Sequence, residues 1–168
     1  MAEIDERLLH VDRHGALRLP GALWIAMAFL CRYWIVVIVV FASARRSPET
    51  LRVLGQDFSW FMLAVEIPVM LVLATAGRRR PDVGAFWRAI WRYGRVVLIV
   101  IAALHIAAAG LALAQSHVWR RWPELFIASC AVLDLAIIYA LAKDGFFRQL
   151  FADFPAFKPA PAQAPSSP

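Results

Sequence analysis

Four long apolar runs decide what this chain can fold into. They cover residues 22–44, 58–76, 96–114 and 125–142, and they are 23, 19, 19 and 18 residues long. A helix rises about 1.5 Å per residue, so about 20 residues cross a hydrocarbon core of roughly 30 Å. Each run is long enough to cross a bilayer once, and none is long enough to cross it twice. Transmembrane β-strands alternate in shorter segments, a pattern the runs do not follow. The expected fold class is therefore all-α: a polytopic membrane protein with four transmembrane helices plus short interfacial amphipathic helices. Composition agrees. Of 168 residues, 61% are hydrophobic and 18% are charged, with 11 Phe and 7 Trp, against about 45–50% and about 25% in a soluble domain. These values exclude a disordered chain, a soluble nucleic-acid binder and a disulfide-stapled secreted domain.

The first run is not a signal peptide. Ala42-Ser43-Ala44 has the small residues of a cleavage site, but the preceding 21 residues are mixed in charge, the run is too long, and Arg32 interrupts it. It reads as an uncleaved span. Cys31 and Cys130 fall inside apolar runs and read as small buried hydrophobes.

The net charge is +6, and 16 of the 18 basic residues are Arg. Most stand just outside the apolar runs, so an anionic phospholipid bilayer is the expected partner and nucleic acid is not. With four spans, residues 1–21, the second loop and the C-terminal segment share one side. That side carries twelve Lys and Arg against five opposite. The positive-inside rule then places both termini in the cytoplasm. Trp24, Trp60, Trp87, Trp91, Trp119 and Trp122 stand near span ends, as interface anchors do.

Two segments outside the spans are amphipathic. In residues 82–95, Arg88, Arg92 and Arg95 share one helical face, opposite Phe86, Trp87, Ile90 and Trp91. This predicts an interfacial helix leading into the third span, or a cytoplasmic extension of it. Its arginines, with Arg78, Arg79 and Arg80, are read as contacts to lipid phosphate. In residues 144–154, Phe146, Phe147, Leu150, Phe151 and Phe154 share a face, which predicts a second interfacial helix. The Pro- and Ala-rich tail from 155 to 168 lacks core-forming residues and is expected to be disordered.

The spans also carry charge. Arg32, Glu66, His105 and Asp134 each lie within one residue of the middle of their run. A central Arg or Asp costs about 2.5–3.5 kcal/mol on insertion scales. Four such residues at one depth are expected to face inward, with Arg32 paired to Glu66, to Asp134 or to both. One base and two acids leave one acid in excess, so a protonated carboxyl or a shared proton is expected, with His105 neutral and hydrogen-bonded. Ala102, Ala108, Ala109 and Ala112 around His105 permit close helix approach. Pro68 is expected to kink the second span or free a carbonyl near Glu66.

Three readings of this constellation stand. It can be an ion-paired network that sets helix register, with a membrane partner or a second copy of the chain. It can be a proton or ion pathway through Glu66, His105 and Asp134. It can be a metal or haem site at His105 with Cys31, Cys130, Glu66 or Asp134, although no ligand spacing motif supports a metal and no cofactor is expected. No P-loop, Gly-x-Ser-x-Gly, His-Glu-x-x-His or Cys-x-x-Cys motif occurs, so no catalytic residue is assigned and a non-enzymatic role is expected.

Three stretches together carry a family resemblance. They are Val11-Asp12-Arg13-His14-Gly15-Ala16-Leu17-Arg18-Leu19-Pro20 with Trp24 and Phe29-Leu30-Cys31-Arg32, then Trp87-Arg88-Ala89-Ile90-Trp91-Arg92-Tyr93-Gly94-Arg95, then Lys143-Asp144-Gly145-Phe146-Phe147 with Phe151-Ala152-Asp153-Phe154-Pro155. The chain resembles the YfeZ-like family of uncharacterised bacterial inner-membrane proteins. The resemblance implies topology and location, and it transfers no catalytic residue.

Overall fold

The computed structural model describes residues 17–44, 60–115 and 122–155. Every regular element among them is a helix: α1 Gly21–Leu30, α2 Arg32–Ala44, α3 Trp60–Gly77, α4 Ala85–Gln115, α5 Trp122–Lys143 and α6 Gly145–Ala152. The expected all-α polytopic class is what the chain adopts. Three helices, α3, α4 and α5, are long and apolar enough to cross a membrane. The disordered tail expected beyond Pro155, the anchor Trp119 and residues 58–59 of the second run lie outside the described residues, as does the side chain of Trp122.

The first run departs from the straight span the sequence predicts. It breaks at Cys31, and α1 and α2 meet at a bend of 70°. Cys31 takes φ −97° and ψ 22°, and its N–H reaches back to the carbonyls of Met27 and Ala28. Neither Gly nor Pro marks the break.

Leu17 and Trp60 stand at opposite ends of the bundle. Leu17 is held at the end where α3 finishes, because Arg79 Nη1 donates to the Leu17 carbonyl at 2.9 Å. Trp60 opens α3 at the opposite end, about 27 Å away at helical rise. Counted together as one broken span, the bent pair brings the candidate spans among the described residues to four.

The first expected amphipathic stretch, 82–95, is from Ala85 onward an N-terminal extension of the third span and not a separate helix. α4 runs unbroken for 31 residues. It is the central post, packed against α1, α3, α5 and α6. Gly94 lets the post approach its neighbours closely: a Cβ there would lie 2.8 Å from Phe151 Cε1 and 3.2 Å from Val72 Cγ1. α3 continues as one helix through Pro68.

One end of the bundle is clasped. The Asp144 side chain accepts from the Phe146 N–H and starts α6. α6 then turns its aromatic face onto α4, not onto the lipid interface, so that Leu150 and Phe151 are buried. Trp91 donates its indole N–H to the Leu150 carbonyl at 2.9 Å and stacks on Phe151 at 4.7 Å. The Leu17 N–H donates to Asp153 Oδ2, and Arg79 Nη2 donates to the Asp153 carbonyl. The segment before α1, the α3–α4 turn and the chain after α6 thus share one end.

These contacts correct several sequence assignments. Trp91 is no interface anchor, being fully buried under the Arg79 guanidinium at 4.7 Å. Arg79 holds backbone carbonyls, not lipid phosphate. Arg95 also turns inward: its Nε and Nη2 donate to the carbonyls of Leu141 and Ala142, unsatisfied acceptors at the C-terminus of α5. Arg88 donates to the Pro81 carbonyl from an exposed position, and Arg78 lies over the half-buried Trp87 ring. Arg80 and Arg92 are exposed, as are Trp24 and Trp60.

Candidate functional site

The helix break and the midplane charges form one structure. A helix that stops and restarts leaves the first N–H groups of the new helix without intrahelical acceptors. In α2 two of these belong to Tyr33 and Trp34, and both donate to the Glu66 carboxylate at 3.3 Å, one to each oxygen. The positive end of the α2 dipole favours this carboxylate. Trp34 adds its indole N–H to the Leu63 carbonyl at 3.1 Å, tying α2 to α3. Trp34, the one Trp that the sequence leaves away from a span end, thus has a packing role.

Arg32 is the first residue of α2, and the bend carries its side chain toward α5. Its Nη1 and Nη2 donate to Asp134 Oδ1 and Oδ2 at 3.1 and 3.0 Å, a bidentate pair. The Phe29 ring lies 4.9 Å from the same guanidinium. Glu66 and Asp134 are completely buried.

His105 on α4 sits between the two carboxylates. Its Nε2 is 3.3 Å from Glu66 Oε1 and its Nδ1 is 3.9 Å from Asp134 Oδ1. Neither approach is aligned as a hydrogen bond, so these are electrostatic contacts of a buried ring. The structure thus brings all four sequence-selected residues together. It pairs Arg32 with Asp134 and gives Glu66 to backbone N–H groups and to His105. The cluster holds one fixed cation and two carboxylates. One proton, on His105 or on a carboxyl, makes it neutral.

No group of three or more His, Cys, Asp or Glu is arranged to hold a metal ion among the described residues. Cys31 and Cys130 are buried free thiols. Cys130 instead lines a cavity of about 300 Å³ that also reaches Arg32 and His105. Sequence reading missed this cavity. Its signal was present in Ala108, Ala109 and Ala112, which were read as a close-packing stripe but leave space in the fold.

The fold and its buried midplane cluster define a class: a polytopic helical protein of the bilayer, with a broken first span tied to a three-helix core. A family model described as "Protein of unknown function (DUF2919)" matches residues 7–153, and the chain belongs to that family. It is also similar to the "Inner membrane protein YfeZ" of Escherichia coli (strain K12), with 25% identity over 134 residues, covering 79% of each chain. No solved structure matches it. The chain is an integral, multi-pass protein of the bacterial inner membrane.

Proposed function

We propose that the protein is a non-enzymatic accessory or scaffold subunit of an inner-membrane complex, with the midplane cluster as the device that holds its shape. The observation that carries this reading is the burial of the cluster's two acids and its histidine. Glu66, His105 and Asp134 are each no more than 1% exposed, whereas a relay needs contact with water or with a chain of proton carriers. Each charge already has a protein counter-charge or donor. The basic side chains Arg79 and Arg95 hold backbone carbonyls in the same way. The loops between the apolar runs are short, which favours lipid-depth surface as the area for a partner.

Both termini are assigned to the cytoplasm, because the clasped end carries the basic second loop. A reporter domain that is active only in the cytoplasm, fused after residue 168, tests this. Exposed Arg80, Arg88 and Arg92 are assigned to anionic phospholipid headgroups at that face. The partner is tested by affinity purification from native membranes in mild detergent, followed by mass spectrometry with stoichiometry. A partner at fixed ratio supports the subunit reading. A chain recovered alone or as a homo-oligomer overturns it.

A second reading has its own observation. Broken helices whose N-terminal ends face an anionic substrate group at mid-depth occur in transporters, and the start of α2 faces the Glu66 carboxylate in a similar way. A small proton- or ion-conducting protein using Glu66, His105 and Asp134 predicts flux in liposomes that changes in Glu66→Gln while the fold persists.

A further inference from the structure

The cavity beside the cluster has a polar floor and apolar walls. The floor is Arg32 and His105, and the walls include Ala109, Ala112, Phe126 and Ile127. On α4 it climbs from His105 to Ala112, about 10 Å at helical rise, toward the end opposite the clasp. A bilayer interface lies about 15 Å from the middle of the core. The cavity therefore opens at lipid depth and ends near the midplane.

We propose that this cavity binds a lipid-soluble molecule with a neutral carbonyl head on an apolar tail, of the membrane-quinone class, placed head-down on Arg32. Three observations carry the assignment. The Arg32 guanidinium has five N–H groups, and Asp134 takes two of them. The side chain remains 22% exposed, which is unusual beside partners that are completely buried. The walls are apolar, so the space is unsuited to water alone.

Charge and depth then select the head. The cluster already holds two carboxylates against one guanidinium, and a third anion in this low dielectric is disfavoured. A carbonyl oxygen accepts from Arg32 without adding charge. Phospholipid ester carbonyls sit at the interface, well above the floor, whereas a quinone head resides within the hydrocarbon core. A volume of about 300 Å³ is at the small end of ligand pockets, which suits one ring and not a second lipid. The assignment is to binding, and it goes beyond the subunit reading without depending on it.

The test uses the full chain in phosphatidylglycerol-containing nanodiscs with a photoreactive azidoquinone, and the adducts are mapped by mass spectrometry. The expected result is labelling of Tyr33, Val36, Phe126 or Ile127, suppressed by excess decyl-benzoquinone and not by laurate. Filling the cavity by Ala112→Phe, or by Ile127→Trp if the first variant fails to fold, is expected to lower protected labelling about tenfold or more, a loss of roughly 1.4 kcal/mol or more. Absence of protected adducts in the wild-type chain overturns the proposal. So does equal protection by laurate, which would assign the floor to a carboxylate, and so does labelling unchanged in a folded cavity-filled variant.

Discussion

Arg32 and Asp134 meet through two parallel hydrogen bonds of 3.1 and 3.0 Å, across 102 residues of chain. This pair joins the broken first span to α5. Breaking a buried pair leaves an uncompensated charge and costs about 3–5 kcal/mol, whereas replacing both partners by apolar residues is often near neutral. Asp134→Ala is therefore expected to destabilise more than the double variant Arg32→Leu/Asp134→Leu. Thermal unfolding in detergent checks the order. A double variant less stable than Asp134→Ala would reject the pair as the main role of these residues.

Glu66 is expected to control the bend. It satisfies the Tyr33 and Trp34 N–H groups at the start of α2. Losing such a cap costs about 1 kcal/mol. Glu66→Gln keeps an acceptor and Glu66→Ala does not, so only the second is expected to straighten the first span. Spin labels placed on α1 and α2 measure this as a change in their separation.

Gly94 is expected to tolerate no side chain. An added methyl group meets the Phe151 ring at 2.8 Å, and that ring is itself stacked on Trp91. Overpacking costs about 1–3 kcal/mol, and the better helix propensity of Ala offsets up to about 1. Gly94→Ala should lower the unfolding midpoint, and Phe151→Leu in the same chain should recover part of the loss.

Arg79 is expected to close the clasped end. It reaches the carbonyls of both Leu17 and Asp153 and covers Trp91. Arg79→Ala should raise hydrogen exchange at Leu17 and through α6, while Arg80→Ala, at an exposed position, should leave it unchanged. Equal exchange in the two variants would show that Arg79 holds nothing.

What could be read before folding, and what could not, follows from the range of each force. The run lengths 58–76 and 125–142 became α3 and α5 within a few residues, because hydrocarbon must be crossed by a helix that satisfies its own backbone. The equal depth of Arg32, Glu66, His105 and Asp134 was also legible, since helical rise converts residue number directly to height. That Arg32 takes Asp134 and not Glu66 was not legible. Both acids stand at the same height, and only the bend at Cys31 and the helix positions around the bundle choose between them.

The interior roles of Trp91, Arg79 and Arg95 were hidden for a related reason. A Trp or Arg near a span end has the same local signature whether it meets headgroups or another helix, and here α6 folds back to cover Trp91. Sequence by itself determined that the chain is helical, membrane-embedded and charged at mid-depth, because those properties depend on composition along one axis. Tertiary structure alone decided the partners, the broken helix and the cavity, because these depend on how helices are placed around one another in the membrane plane, a coordinate that hydrophobic patterning does not encode.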